Sequence, residues 1–387
     1  MANRFFPNLK SPKSGRWRRV MRRVLLGLVL LLVAVVVATL VSTDWLASFG
    51  GRLEGARLER ARRSPHFVDG KFRNAVPTQT MAPGSFWPMM RHQLFGDEER
   101  VPSKPPPVVP RTAADFATPP ASGLRATWIG HASVLVELDG RRVLTDPIWS
   151  DRCSPSTWAG PKRFHPPPVA LAELPPIDVV VISHDHYDHL DMATVKELGR
   201  RGTHFAVPLG IGAHLETWGI PLAQIHELDW NEGVELAGLT VTATPARHYS
   251  GRNPLHGDET LWASWALKGP SHRVFFSGDS GHFDGFRNVA AKHGPFDLTL
   301  IKVGASDPTW SEIHMLPEEA VQTHLDVGGR VLVPIHWGTF NLAFHAWNEP
   351  AERVVSAAKK AGVTLVVPRP GEPVEPSQPQ ALDTWWR

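Results

Sequence analysis

Residues 178–191 read Asp178-Val-Val-Val-Ile-Ser-His-Asp-His-Tyr-Asp-His-Leu-Asp191. Asp178 to Ser183 is a short, apolar, β-branched run, which predicts a buried strand. His184, His186, Asp188 and His189 follow at once. A loop held by a strand on one side and a helix on the other can aim its side chains at one point. Imidazole and carboxylate are the donors that suit zinc and similar divalent ions. Four donors within six residues are too many for one closed structural site. The loop therefore predicts two adjacent ions, completed by ligands from elsewhere. The alternative is a polar surface loop. Histidine fills only 19 of 387 positions, so three within six residues at an alternating spacing argues against it.

Three further predicted strands end in donor groups. Residues 239–244 lead into Pro245-Ala246-Arg247-His248. Residues 273–277 lead into Gly278-Asp279-Ser280-Gly281. Residues 331–335 lead into His336-Trp337-Gly338. Helices are predicted between the strands, at 192–200, 212–218, 286–293, 317–325 and 351–361. Pro317 followed by Glu318 and Glu319 suits a helix start. Such a series of strands and helices predicts a layered α/β domain.

The pattern His-x-His-x-Asp-His after an apolar strand resembles the signature of the metallo-β-lactamase superfamily. That resemblance implies a four-layer αββα sandwich with a two-metal hydrolytic site between the sheets. Carried over residue by residue, it gives His184, His186 and His248 to the first metal. Asp188, His189 and His336 go to the second, and Asp279 bridges. Two ions about 3.5–4 Å apart would hold a bridging hydroxide, because metals lower the pKa of bound water. Asp188 and Asp279 could then orient it and accept its proton. The donors suit zinc, and manganese and iron accept them too.

A closer resemblance rests on segments outside these ligands. They include Thr127-Trp128-Ile129-Gly130-His131-Ala132, Leu144-Thr145-Asp146-Pro147-Ile148, Gly160-Pro161-Lys162-Arg163-Phe164, Glu173-Leu174-Pro175-Pro176-Ile177-Asp178, Glu227-Leu228-Asp229-Trp230 and His336-Trp337-Gly338-Thr339-Phe340. All are similar to the N-acylphosphatidylethanolamine-hydrolysing phospholipase D family, over residues 124–369. The resemblance implies a phosphodiesterase that releases an N-acylethanolamine and phosphatidic acid from a membrane phospholipid. His314 matches a family position near the substrate phosphate, so it joins Asp188 and Asp279 as a candidate catalytic residue. A lactonase or other small-molecule hydrolase on the same scaffold is the competing expectation.

Composition sets the rest. Net charge is only +3 and no basic face stands out beyond the N-terminus, so nucleic acid is not the expected partner. Cys153, the single cysteine, allows no internal disulfide and no thiolate cluster. Residues 1–23 hold eight cations, Arg4, Lys10, Lys13, Arg16, Arg18, Arg19, Arg22 and Arg23, and no acid. Residues 24–41 carry no charge, long enough for a single-pass transmembrane anchor, with a cleaved signal as the rival. The charge asymmetry favours a membrane protein with its catalytic domain on the non-cytoplasmic side. Arg52, Arg57, Arg60, Arg62 and Arg63 stand against that orientation. Residues 42–123 are expected to be a juxtamembrane segment and Pro-rich linker, with 101–120 either a stiff, extended linker or a strap over the domain surface. Within 42–123, Met81, Phe86, Trp87, Pro88, Met89 and Met90 read as a loop that packs on the domain or touches lipid, with packing the first expectation. Residues 124–369 are the predicted hydrolase domain, and 370–387 a loose Pro/Gln-rich tail in which Trp385-Trp386 could dock. Trp128, Trp262 and Trp265 are read as core residues.

Overall fold

The structure, a computed structural model, describes residues 14–40, 43–253 and 255–387. The first half of the basic segment, residues 1–13, and Val41 at the end of the apolar run lie outside the described residues. The chain divides into two compact units, Met1–Ser48 and Phe49–Arg387.

In the first unit, Ser14–Leu40 is one helix. Its stretch Trp17–Ala38 is long and apolar enough, by length and composition, to cross a membrane. The described part of the charge-free run, residues 24–40, thus lies in a helix, as predicted.

In the second unit, two seven-stranded sheets lie face to face. The first runs, in spatial order, Pro373–Val374, Leu124–Gly130, Ser133–Leu138, Arg141–Thr145, Val179–Val181, His204–Pro208 and Ile225–Leu228. The second runs Thr364–Leu365, Gly329–Ile335, Phe296–Lys302, Arg273–Phe276, Ser264–Lys268, Leu239–Thr244 and Gly233–Leu236. Strand alternation sorts the side chains. Val134, Val136, Val179 and Val181 join the core between the sheets. Leu135 and Val180 point the other way, into a second core with Val195, Leu198, Ile211 and Leu215 of the helices Met192–Arg200 and Ile211–Thr217. Met192–Arg200 begins where predicted because the Asp191 side chain accepts from Ala193 N at 3.2 Å. Helices Gly285–His293, Pro317–Asp326 and Glu349–Ala361 bring Phe286, Val289, Ala320, Val321, Val354 and Ala358 onto the second sheet. Helices therefore cover both sheets, in the expected αββα order. Burying a side chain such as Phe275 contributes about 1.5–3 kcal/mol.

The sheets are also joined by hydrogen bonds. Trp265 Nε1 donates to Ile182 O (3.0 Å), and Ala263 N donates to Ser183 O (2.9 Å). Trp128, Trp262 and Trp265 are core residues, as read.

Three expectations change. Phe86–Phe95 is a helix and not a loop, and it is mostly exposed, with only Met89 and His92 half-buried. Pro88 lies in its first turn, where no intrahelical N–H is needed, so it does not break the helix. The strands Ile225–Leu228 and Gly233–Leu236 were not predicted. Both are short edge strands whose alternation is too brief to read. The tail is not loose. Pro373–Val374 pairs with Leu124–Gly130, and Trp386 is buried with Nε1 donating to Glu352 Oε1 at 2.8 Å. The Pro-rich stretch takes the second of its two expected forms, a strap on the domain, with Val109 N donating to Pro370 O (2.8 Å).

Candidate metal centre

Val179–Val181 lies between two parallel neighbours, Arg141–Thr145 and His204–Pro208, so the loop after it leaves a rigid strand. Arg252 fastens that loop. Its buried guanidinium donates from Nη1 to Asp185 O (2.9 Å) and Leu190 O (2.8 Å), and sits 4.1 Å from the Tyr187 ring centroid. Asp185 Oδ1 accepts from Gly251 N at 2.8 Å, which turns this carboxylate away from the centre.

The donors fall into two groups around a shared carboxylate. In the first, His184 Nε2 is 2.8 Å from His186 Nδ1, and His248 Nε2 is 3.4 Å from His186 Nδ1. In the second, His189 Nε2 is 3.0 Å from His336 Nε2, and Asp188 Oδ2 is 3.3 Å and 3.4 Å from those nitrogens. Asp279 Oδ2 stands between, 3.3 Å from His189, 3.1 Å from His336 and 4.0 Å from His248. All seven predicted ligands meet here. His314 meets them as well, with Nδ1 3.7 Å from Asp279 Oδ2 and its ring 5.0 Å from that of His248.

For three of the five histidines the opposite ring nitrogen is held by the protein, which selects the atom each of these presents. His184 Nδ1 is 2.9 Å from Ser183 Oγ, His248 Nδ1 3.0 Å from Ile313 O, and His189 Nδ1 2.6 Å from Asp146 Oδ2. Buried Asp279 Oδ1 has no hydrogen-bond partner among the described residues. A converging set of imidazoles and carboxylates, with one buried oxygen unpaired, fits a pair of divalent cations.

Electrostatics fit part of that set. Burial alone would raise the Asp279 carboxyl, but His336, His189 and His314 hold it well below the usual range. Burial likewise opposes Asp188, and His189 and His131 overrule it. Burial and the neighbouring His189 keep His184 well below its ordinary value. Burial pushes His248 down to about 3. His184 and His248 are thus neutral, the form a metal ligand requires. Burial opposes charge on His189 and His336, but Asp279 and Asp188 outweigh it and push both up towards the charged form. Burial, then Lys302, hold His314 low. Lys302, itself buried and pushed down to about 7, donates from Nζ to Met315 O (3.3 Å).

Sequence reasoning missed several parts. His131 was seen only as part of a family segment, yet its Nε2 lies 2.9 Å from Asp188 Oδ2. Asp146, at the end of a strand before Pro147, was likewise not singled out. Asn74 was not seen at all. Its side chain donates to His248 O (2.7 Å) and accepts from His248 N (3.0 Å). A hairpin-like pair of contacts from so remote a segment leaves no local signal.

The centre faces a cavity of about 260 Å³ whose walls include Thr80, Met81, Trp310, Ile313, His314 and Leu342. A cleft of about 570 Å³ adjoins it through Thr80 and Tyr249.

Residues 141–337 match the beta-lactamase superfamily domain. This chain belongs to the metallo-β-lactamase superfamily. An uncharacterised protein of Mycobacterium tuberculosis is 49% identical over 338 residues, covering 84% of this chain and 88% of that protein. The N-acyl-phosphatidylethanolamine-hydrolyzing phospholipase D 1 of Caenorhabditis elegans is 41% identical over 261 residues, covering 64% of this chain and 73% of that enzyme. Among solved structures, a metallo hydrolase from the archaeon Ignicoccus hospitalis superposes with a TM-score of 0.51 at 24% identity, over 65% of this chain and 97% of that one. The last likeness is one of fold. The sequence relatives place this metallo-β-lactamase superfamily member, a metal-dependent hydrolase, beside the N-acylphosphatidylethanolamine-hydrolysing phospholipases D. The sequence resemblance is borne out at that level.

Proposed function

We propose that the protein is a membrane-anchored phosphodiesterase of N-acylphosphatidylethanolamine-type phospholipids. The observation that carries the reading is the relationship to the nematode phospholipase D, over a stretch that spans 73% of that enzyme. His184, His186 and His248 would hold one divalent ion, Asp188, His189 and His336 the other, with Asp279 shared. Two such ions supply an activated water and offset charge on phosphoryl oxygens. Zinc is the first candidate on donor chemistry, with manganese and iron as alternatives.

The chain's own groups do the rest. Met81, Trp310 and Leu342 give the cavity apolar walls beside the ionic centre. Asp188 and Asp279, both ionised, can take the proton of the attacking water. Neutral His314 lines the cavity and can hold a hydrogen bond to a phosphoryl oxygen. The water oxygen joins phosphorus, the bond from phosphorus to the N-acylethanolamine oxygen breaks, and a proton passes to that leaving oxygen. Phosphatidic acid is the other product. The helix Trp17–Ala38 would keep the domain at its substrate, on the non-cytoplasmic side.

The test is hydrolysis of N-acylphosphatidylethanolamine in mixed micelles, with and without chelator, beside a bis-aryl phosphodiester and a set of lactones. Chelator-sensitive release of N-acylethanolamine is expected. Asp279→Asn and His186→Ala should each abolish it. Lactone turnover with no lipid cleavage would sink the reading in favour of a lactonase.

A further inference from the structure

The helix Phe86–Phe95 turns its apolar side to solvent. Phe86 is 56% exposed, Trp87 76%, Leu94 65% and Phe95 78%. Met90 is exposed as well, while only Met89 and His92 are half-buried. Residues 86, 87, 90 and 94 recur at helical spacing and so form one stripe. Scattered surface apolar residues are ordinary, but a contiguous stripe of this kind marks a contact surface.

Both ends of the helix are tied to the rim of the metal cavity. Before it, Met81 lines the cavity and Ala82 N donates to Thr309 O at 2.7 Å. Towards its end, the His92 ring stacks on Phe344 at 5.0 Å, and Phe344 lies 5.5 Å from Trp310 in the cavity wall. Arg100 Nη2 donates back to His92 O at 2.6 Å, and its guanidinium lies 5.1 Å from the Phe344 ring centroid. The inner face is therefore anchored to the site, and the stripe faces away from it.

We propose that Phe86–Phe95 is an interfacial helix that beds into the surface of a phospholipid bilayer and presents the metal cavity to it. The composition favours lipid over a protein partner. Trp and Phe occupy the stripe, exposed Arg91 can meet anionic headgroups, and such helices lie in the headgroup–acyl boundary. The same chain carries the apolar helix Trp17–Ala38, and a bilayer would serve both. The lipid-substrate reading adds a reason for placing the stripe at the rim, but docking can be tested apart from it.

Cys153 is the only cysteine and is buried, so one introduced cysteine can be labelled alone. Leu94→Cys, labelled with an environment-sensitive fluorophore, is placed as full-length chain in nanodiscs of phosphatidylcholine and phosphatidylglycerol. Ala223→Cys on the domain surface is the reference. The Leu94 label should shift to the blue and be quenched by lipids brominated on the acyl chain, while the Ala223 label does neither. Equal behaviour of the two labels overturns the proposal. So does a shift that depends on protein concentration and not on lipid, which would assign the stripe to a second copy. Trp87→Glu with Phe95→Glu should lose about tenfold in turnover of vesicle lipid and keep turnover of a soluble bis-aryl phosphodiester. If the wild type cleaves no lipid, the phosphodiesterase reading fails and the fluorescence result still decides docking.

Discussion

Asp146 Oδ2 lies 2.6 Å from His189 Nδ1, and the same carboxylate ties down the other half of the centre. It accepts from Ser183 Oγ (2.6 Å) and from Ser183 N (2.7 Å), and Ser183 Oγ touches His184 Nδ1. One buried side chain thus orients a histidine of each proposed ion. Asp146→Asn keeps the shape but removes an acceptor and the negative charge. Metal affinity or activity should fall about 10–100-fold. Metal content per chain after dialysis against a weak chelator, measured beside kcat, checks this. Unchanged retention of both ions would exclude the role.

His131 is the second orienting residue. Its Nε2 meets Asp188 Oδ2, its ring lies 3.9 Å from that of His336, and its carbonyl accepts from His336 N (2.8 Å). It holds φ +53°, a backbone region unfavourable for a residue with a Cβ. His131→Ala and His131→Gly should both weaken retention of the second ion, about tenfold or more. The glycine variant should be the more stable of the two by about 1 kcal/mol, because it relieves the backbone. Chemical denaturation of both variants and their metal stoichiometry separate the two effects. Full retention by either variant would remove His131 from the centre.

The tail closes the core behind His336. Trp385 stacks on Trp337 with centroids 5.2 Å apart, and Trp386 packs edge-on to Trp337 at 5.8 Å. Trp386→Ala should cost about 3–5 kcal/mol of stability, the usual loss for a buried tryptophan. Urea unfolding is the measurement. A loss below about 1 kcal/mol would mean the tail is not held as described.

Two buried histidines outside the metal centre make stability depend on pH. Burial pushes His324 down to about 4, and burial with Arg163 pushes His165 to about 4. Each is neutral when folded and protonates near 6.5 when unfolded, so the unfolded chain binds more protons between those values. Their stability is present above pH 6.5 and is lost as the pH falls towards 4. Tm should drop across that window. His324→Gln, beside Thr299 Oγ1 at 2.7 Å, should flatten the slope. An identical slope in wild type and variant would assign the effect elsewhere.

Much of the fold was legible because it is locally encoded. The helix predicted at 192–200 is Met192–Arg200, and the helix expected at 317–325 is Pro317–Asp326. Each has an apolar face of helical period and a clear start signal. The aromatic helix at 86–95 reads first as a packed loop, with lipid contact as the alternative, and its apolar residues do not face the core. Hydrophobicity by itself does not say which surface a side chain meets. The tail was misread for the opposite reason, since Pro and Gln dominate its composition while two tryptophans decide its position.

By itself, the sequence determined the donor types, their order along the chain and their placement at strand ends. Local pattern is enough for that, because a strand end and the polar residue after it are neighbours in sequence. Tertiary structure decided how those donors are aimed. Asp146 reaches His189 across 43 positions, His131 reaches Asp188 across 57, and Asn74 clamps His248 across 174. Contacts that distant arise only when two twisted sheets pack and bring separate strand ends to one edge. The same packing left Phe86–Phe95 facing outward, which no periodicity in its residues could foretell.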